Sequence, residues 1–517
     1  MAIADKVISV LTNAIYISTV PFLLCAVVTF LVTTLIWRRL TYWSKYTWPP
    51  GPRGWPLVGN SLLIAPNSGQ TNANITRIGK QYHPDMFTLT LYLGKKVLIL
   101  NSYKAIKDGL IRQSELISNR PPDWPFKYIN KNRKSVGIFF ESYTNSWKRE
   151  KKYMMRTVRH FGYGTSAAQP LIHREANHLV ELIKKRNGQP CFLGNPVSLC
   201  FLNVTFSMIF SATYEEDDRE FSKILNIIRN WFTPIFNMYD VEPLLPFLHR
   251  FGLGSRLKQG KRNTEDLLGF IKNHIDRHRV TLDPDNPRDM LDECLIEMAK
   301  GDPNSDLSRG FKEENLQWML VFFILDQGDT TTGLFLFLIL ATAFHAEVQQ
   351  RVFQEIQDVI GDRPPSQNDK EKMPYTEAVI LETLRMDTNF WLWIAHFTAA
   401  DVDVLGYKIP KDTSVIPNIY SVHFDPELWG DPEDFRPERF IDEQGRISKP
   451  EYLIPFSIGR RRCIGEQLAM KEFFLFYITL LQNFKFKLSE SDPKPKLEAK
   501  FLEVFPEDYR VVAEPRE

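Results

Sequence analysis

The stretch PFSIGRRRCIGEQLAMKEFFLFYITLLQ, Pro455 to Gln482, decides how this chain reads. From Met470 to Phe484 apolar residues recur at helical spacing, which predicts a buried helix. The preceding turn holds Gly459 and three arginines and delivers Cys463 to the start of that helix. Helix-start N–H groups and the positive end of the dipole stabilise an anion, so the position favours a thiolate. Gly459 and Gly465 bracket the cysteine, where backbone turns tightly or approaches something flat. Arg461 is suited to holding carboxylates through its two-pronged guanidinium.

A thiolate beside arginines, with room for a planar group, is what haem ligation needs. On these residues alone, a buried cysteine at a helix start is an equal reading. The spacing F-x-x-G-x-R-x-C-x-G, carried by Phe456, Gly459, Arg461, Cys463 and Gly465, resembles the cysteine signature of the cytochrome P-450 family, the haem-thiolate monooxygenases. The resemblance implies that Cys463 is the axial ligand of a haem b iron, that Arg461 contacts a haem propionate and that Phe456 packs near the sulfur. Gly459 and Gly465 would shape the haem-binding loop.

Further matches follow in the family's order. LETLR holds the pair Glu382 and Arg385, at i and i+3 on one helix face, and FRPERF supplies Arg439. By resemblance the three form a buried ionic triad. In FFILDQGDTTTGLFLFLILATAF the family places an acid and a threonine beside bound dioxygen, here Asp329 and Thr330, to relay protons. The threonines read structurally as residues that hydrogen-bond back onto their own helix. Trp147 and Lys151 stand where the family has tryptophan and arginine, and His396 matches another propionate contact. Besides Lys151 in place of arginine, three positions depart from the family. Asp326 and Gln327 replace small residues that make room over the haem and permit local helix opening, so the aspartate either narrows the pocket or anchors substrate. Trp391 stands where relatives commonly have proline, which suggests a reshaped pocket wall.

Outward from these motifs the chain is expected to be mainly α, one large helix-rich body with small β-sheets and an N-terminal transmembrane helix. Helical periodicity covers Val204–Phe210, Ile224–Phe232, Leu267–His278 and Leu316–Gln350. Short β-like pieces lie at Met86–Leu100 and Asp403–Ile416. No charge occurs between Lys6 and Arg38, and residues 14–37 form a mostly apolar run. At about 1.5 Å per residue this run spans a hydrocarbon core of about 30 Å. Arg38, Arg39 and Lys45 follow it, so the positive-inside bias puts the body in the cytosol. The expected organisation is an anchor over 1–37, a basic and proline-rich hinge over 38–60 and a haem-thiolate catalytic domain over 61–517. The potential glycosylation triplets at Asn74 and Asn203 are then expected to be silent.

The 517 residues are 44% apolar and 24% charged, which excludes wholesale disorder. With 64 Lys+Arg against 62 Asp+Glu the net charge is +2, so no polyanion partner such as nucleic acid is indicated. The five cysteines, Cys25, Cys191, Cys200, Cys294 and Cys463, are too sparse for a disulfide framework and suit a reducing compartment. GYGTSA, Gly162 to Ala167, follows a basic helical stretch rather than a strand, so it is no dinucleotide site. Electrons must come from another protein. Lys148, Lys152, Arg156 and Arg159 form one basic stripe, joined by Arg460 and Arg462, that reads either as a solvated face or as a dock for an acidic flavoprotein.

The resemblance covers nearly the whole chain. Local texture (RTVRHFGYG, HAEVQQRVFQEIQDVIG, MPYTEAVILETLR) is closest to the microsomal subgroup with mammalian drug- and steroid-metabolising and arthropod hormone-pathway members. It implies an endoplasmic reticulum membrane protein, crossing once, that oxygenates a lipophilic small molecule with O2. Electrons would come from NADPH through cytochrome P-450 reductase, with cytochrome b5 as a further partner. Two other activities fit a cysteine haem site. One is an isomerase or dehydratase working without a reductase, and the other is a non-catalytic haem carrier or sensor.

Overall fold

The computed structural model describes residues 45–55, 58–60, 71–91, 94–121, 137–161, 168–231, 255–300, 311–387, 394–493 and 509–516, with scattered positions of 26–37. The expected membrane span 14–37 therefore lies mostly outside the described residues, and Trp391 and Gly162–Ala167 lie wholly outside them. The longer helices are α1 (Thr71–Tyr82), α2 (Asn145–His160), α3 (Gln169–Lys184), α4 (Gly194–Phe210), α5 (Arg219–Arg229), α6 (Ser255–Thr281) and α7 (Met290–Lys300). They continue as α8 (Glu313–Leu325), α9 (Thr332–Phe344), α10 (Ala346–Val359), α11 (Pro374–Met386) and α12 (Glu466–Asn483).

Side-chain caps set several of these starts. The Thr144 hydroxyl accepts from the Trp147 N–H at 3.2 Å to open α2, and the Asp218 carboxylate caps α5. Pro374 stands in the first turn of α11, where a missing N–H costs nothing.

Between α8 and α9 the helix widens into a π turn, Asp326–Thr331. The sequence reading ties helix opening to small residues, yet this helix opens around Asp326 and Gln327. The hydroxyls of Thr331 and Thr332 donate to the Asp326 and Gln327 carbonyls at 3.2 and 3.1 Å, five residues back, and so occupy acceptors in the widened turn. Gly328 lets the turn lie against Ile228 and Leu202, where an added Cβ would sit 3.0 and 3.2 Å from their side chains. The predicted run Leu316–Gln350 is also broken at His345, whose φ of −113° and ψ of 81° leave the helical region. Its ring stacks on Phe435 at 5.1 Å, and α10 starts in a new direction.

Four strands form one sheet in the order β1 (Met86–Thr90), β2 (Lys96–Leu100), β6 (Ser414–Pro417), β3 (His396–Phe397). β1 and β2 are a hairpin with Phe87 opposite Ile99, and β6 joins β2 in parallel with Val97 opposite Ser414. β4 (Val402–Val404) pairs β5 (Tyr407–Ile409), and β7 (Phe484–Leu488) leaves α12 directly to pair β8 (Val511–Pro515).

One apolar cluster runs from Ile75 to Ala513. At its centre Phe201 of α4 meets Phe335 of α9 and Phe476 of α12, with ring centroids 5.1 and 4.5 Å apart. Each such fully buried Phe contributes about 1.5–3 kcal/mol. The helix Glu313–Phe344 is apolar and long enough to cross a membrane, but 78% of its apolar window is buried, which marks it as the core helix.

Candidate active site

The cysteine turn meets the core helix at a cavity. A short 3-10 turn, Gly459–Arg461, precedes Cys463, and Gly465 stands at the N-terminus of α12. Gly459 has φ +81°, and an added Cβ would lie 2.2 Å from the Leu110 carbonyl oxygen, so only glycine fits. This glycine lies outside the cavity wall, and its part is the turn. Phe456, Arg461, Cys463 and Gly465 all line the cavity.

The space open to the centre of a water molecule is about 190 Å³. A single water needs about 10–15 Å³, so the void is a built site rather than a packing defect. Its wall opposite the cysteine turn comes from α8 and the π turn: Met319, Phe322, Phe323, Asp326, Gln327 and Thr330, with Leu334 of α9.

Cys463 shows the limit of the helix-start argument. The Gly465 and Glu466 N–H groups do stabilise its anion, but burial outweighs them and, with the Asp326 carboxylate, pushes the thiol up to about 12. A thiolate here requires a cation facing the sulfur, which a metal ion would supply.

One side of the cavity is strongly cationic. Arg461 donates to the carbonyls of Ser118 (2.8 Å), Ile138 (3.0 Å) and Glu141, and lies 4.1 Å from the Trp147 ring centre. The Trp147 indole N–H donates to Ile138 O at 2.7 Å, and Lys151 Nζ donates to Arg460 O at 2.7 Å. Arg120, which sequence reasoning missed, donates to Phe139 O at 3.1 Å and Ala395 O at 3.0 Å. Burial lowers Arg120 to about 9, Lys151 to about 8 and Arg461 to about 8, with neighbouring cations adding to the last two. Among the described residues none of these three has a carboxylate ion-pair partner. Desolvated cations gathered without anions mark a place for carboxylates brought by a ligand. Arg120 carries no sequence signal, because it precedes Pro121-Pro122 in an irregular stretch with no period.

His396 is buried behind this group, its Nδ1 2.9 Å from Ile117 O. Burial, then Arg120, hold it well below its usual value, so it is neutral and outside the cavity wall.

The acid and alcohol predicted on the core helix are placed unequally. Thr330 lines the cavity and donates its hydroxyl to Asp326 O at 2.6 Å. Asp329 is buried and lies off the wall, with its carboxyl held well above the usual range by burial and by Asp326. Asp326 is the core-helix carboxyl that opens onto the cavity, and burial within the protein raises it to about 7. Gln327 reaches from the cavity to donate to Glu472 of α12 at 2.7 Å. Glu472 is fully buried, its second oxygen is unpartnered, and burial pushes it up to about 8.

The triad assembles beside this site. Glu382 accepts from Arg385 Nε (2.7 Å) and Nη2 (2.9 Å) and from Arg439 Nε (3.0 Å), with all three side chains buried. Asn203 is also buried, donating to Glu175 at 3.2 Å and Tyr214 O at 2.9 Å, so its glycosylation triplet is silent in any compartment.

These residues fit a haem. There is a sulfur that needs a cation, a cluster of cations that needs carboxylates, and an apolar slot between the cysteine turn and the core helix. Comparison with known proteins agrees. The family model described as "Cytochrome P450" matches residues 49–511. "Cytochrome P450 2U1" of Homo sapiens is 34% identical over 498 residues, covering 91% of this chain and 90% of its own. "Cytochrome P450 2D10" of Mus musculus is 34% identical over 497 residues, covering 95% and 96%. The chain belongs to the cytochrome P-450 family and has its helix-rich fold, its cysteine-ligated haem and its monooxygenase chemistry.

Proposed function

We propose that this chain is a membrane-anchored monooxygenase that inserts one oxygen atom of O2 into a lipophilic small molecule, with electrons from an NADPH-dependent reductase. The balance is RH + O2 + 2e⁻ + 2H⁺ → ROH + H2O. The carrying observation is the cavity that puts Cys463 on one wall and Thr330 and Asp326 on the other, with Arg120, Lys151 and Arg461 along one side. When bound, the haem supplies the site at which dioxygen is activated.

The chain's own residues do the rest. Cys463 would supply the thiolate ligand. Arg120, Lys151, Arg461 and Trp147 would take the propionate end, with His396 supporting them from behind. Phe139, Phe322, Phe323 and Leu334 exclude water and cover the apolar body of the substrate, while Asp326 and Gln327 touch it. Thr330 lines the cavity with its hydroxyl proton on the Asp326 carbonyl, which leaves its oxygen to accept, and Asp329 is a buried acid off the wall. The Glu382–Arg385–Arg439 triad holds the haem-side core together.

Lys148, Lys152, Arg156 and Arg159 are all exposed on α2, and this supports a cationic dock for the reductase or cytochrome b5. Arg460 and Arg462 contribute less, because Glu115 and Glu466 pair with them at 2.9 and 2.5 Å. The anchor over 1–37, the hinge over 38–60, the catalytic domain over 61–517 and a single-pass location in the endoplasmic reticulum membrane belong to the same reading.

The test is the absorption spectrum of the reduced, carbon-monoxide-bound protein beside Cys463→Ala, followed by reductase-dependent NADPH consumption. A strongly red-shifted Soret band lost in the variant, with oxygen-dependent product, is expected. Turnover without oxygen or reductase favours an isomerase or dehydratase, and haem binding without turnover favours a carrier or sensor.

A further inference from the structure

The reaction proposed above leaves one charged group of the cavity unpartnered, the carboxylate of Asp326. Among the described residues no side chain or backbone group donates to it. The cavity's cations are committed elsewhere: Arg120 and Arg461 to backbone carbonyls, Lys151 to Arg460 O and Arg462 to Glu466. Asp329, three residues on, is held well above its usual range by burial and by Asp326 and brings no positive charge to this point of the helix. Phe322 and Phe323 precede Asp326 by four and three residues and so share its helix face. Both rings line the cavity, and Phe322 is itself covered by Phe139 at 5.2 Å and Trp318 at 5.9 Å.

A neutral lipophile filling this space leaves the carboxylate buried without a donor or forces it to take up a proton. A cation satisfies it directly, while Phe322 and Phe323 on the same wall shelter the apolar groups around the charge. We infer that Asp326 makes this cavity selective for lipophilic molecules that carry a positively charged nitrogen, seated against its carboxylate. The inference rests on the monooxygenase reading and narrows its substrate class.

The experiment uses full-length, haem-loaded protein in zwitterionic lipid nanodiscs and equilibrium dialysis corrected with empty discs. Two probes of the same shape are compared, 4-phenylbutyltrimethylammonium and its neutral carbon isostere 5,5-dimethylhexylbenzene. The ammonium probe has no lone pair and cannot ligate iron. The wild type is expected to bind the cation at least tenfold more tightly, and Asp326→Asn and Asp326→Ala to lose that preference while keeping the reduced carbon-monoxide spectrum. Equal binding of both probes by the wild type overturns the inference, and so does a preference that survives in the two variants. Failure of the underlying reading shows separately, as a wild-type spectrum without the thiolate-type band.

Discussion

Replacing Glu382 by glutamine removes the one carboxylate that Arg385 uses in a protein interior with no access to water. Glu382 and Arg385 are both 0% exposed. The carboxylate accepts four hydrogen bonds: two from Arg385, one from Arg439 and one from the Arg436 backbone N–H at 2.9 Å. The two arginines fare differently when it is lost. Arg439 keeps Asp431 at 3.2 Å, which is 36% exposed and so in contact with solvent. Arg385 keeps one short bond, to His423 O at 2.8 Å, and a long one to Asp434 O at 3.4 Å. The cost is therefore that of one uncompensated buried guanidinium, about 3–5 kcal/mol, rather than the sum of four charged hydrogen bonds. At about 2.1 cal/mol/K per residue the unfolding entropy of a chain this long is about 1.1 kcal/mol/K, so the thermal midpoint falls by about 3–5 °C. Calorimetry of the haem-loaded wild type, Glu382→Gln and the double variant Glu382→Leu/Arg385→Met measures it. The double variant should recover most of the loss, because an apolar replacement leaves no stranded charge. A single-variant loss below about 1 kcal/mol, or a double variant no more stable than Glu382→Gln, would refute the reasoning.

Other predictions follow from the same geometry. Gly459→Ala must push its Cβ against the Leu110 carbonyl at φ +81°, so the cysteine turn shifts and the haem-to-protein ratio on purification falls below that of the wild type. Arg120→Met removes one of the cavity's unpaired cations, and haem transfer to apomyoglobin should speed up several-fold; an unchanged rate would exclude Arg120 from the propionate end. Glu472 is raised by burial from 4.5 to about 8, so between those values the folded chain holds a proton that the unfolded chain has released. That term lowers stability as pH rises across the interval by about 1.4 kcal/mol per unit and levels off above it. Glu472→Gln keeps an acceptor for Gln327 and should flatten this slope in urea titrations at pH 5.5, 7 and 8.5. The double change Lys152→Glu/Arg156→Glu reverses charge at the centre of the exposed α2 stripe. Reductase-supported turnover should drop about tenfold at low ionic strength while the carbon-monoxide spectrum stays intact, and equal turnover would make the stripe a solvated face.

Much of the site is local in sequence and was legible there. Cys463, Arg461 and Gly459 lie within one turn, so their spacing carries the geometry directly. Glu382 and Arg385 sit at i and i+3, and helical geometry alone puts them on one face. The helices around Val204–Phe210, Leu267–His278 and Met470–Phe484 follow from periodicity. The break at His345 was hidden because FHAEV contains neither proline nor glycine; a stacking contact with Phe435, distant in the chain, accompanies the change of direction.

Residue types and spacings carried the resemblance to the family and the membrane-protein reading, and the resemblance in turn implied the haem-ligating cysteine. The sequence reading already put Asp326 at the pocket, and only the tertiary structure took Asp329 off the cavity wall, in a π turn that changes which residues share a face. It alone also brought Arg120 beside Arg461 and tied Gln327 to Glu472. These last two meetings join positions more than a hundred residues apart. Backbone geometry sets what happens within one helical turn, whereas such distant meetings depend on how whole helices pack, and no short-range spacing encodes that.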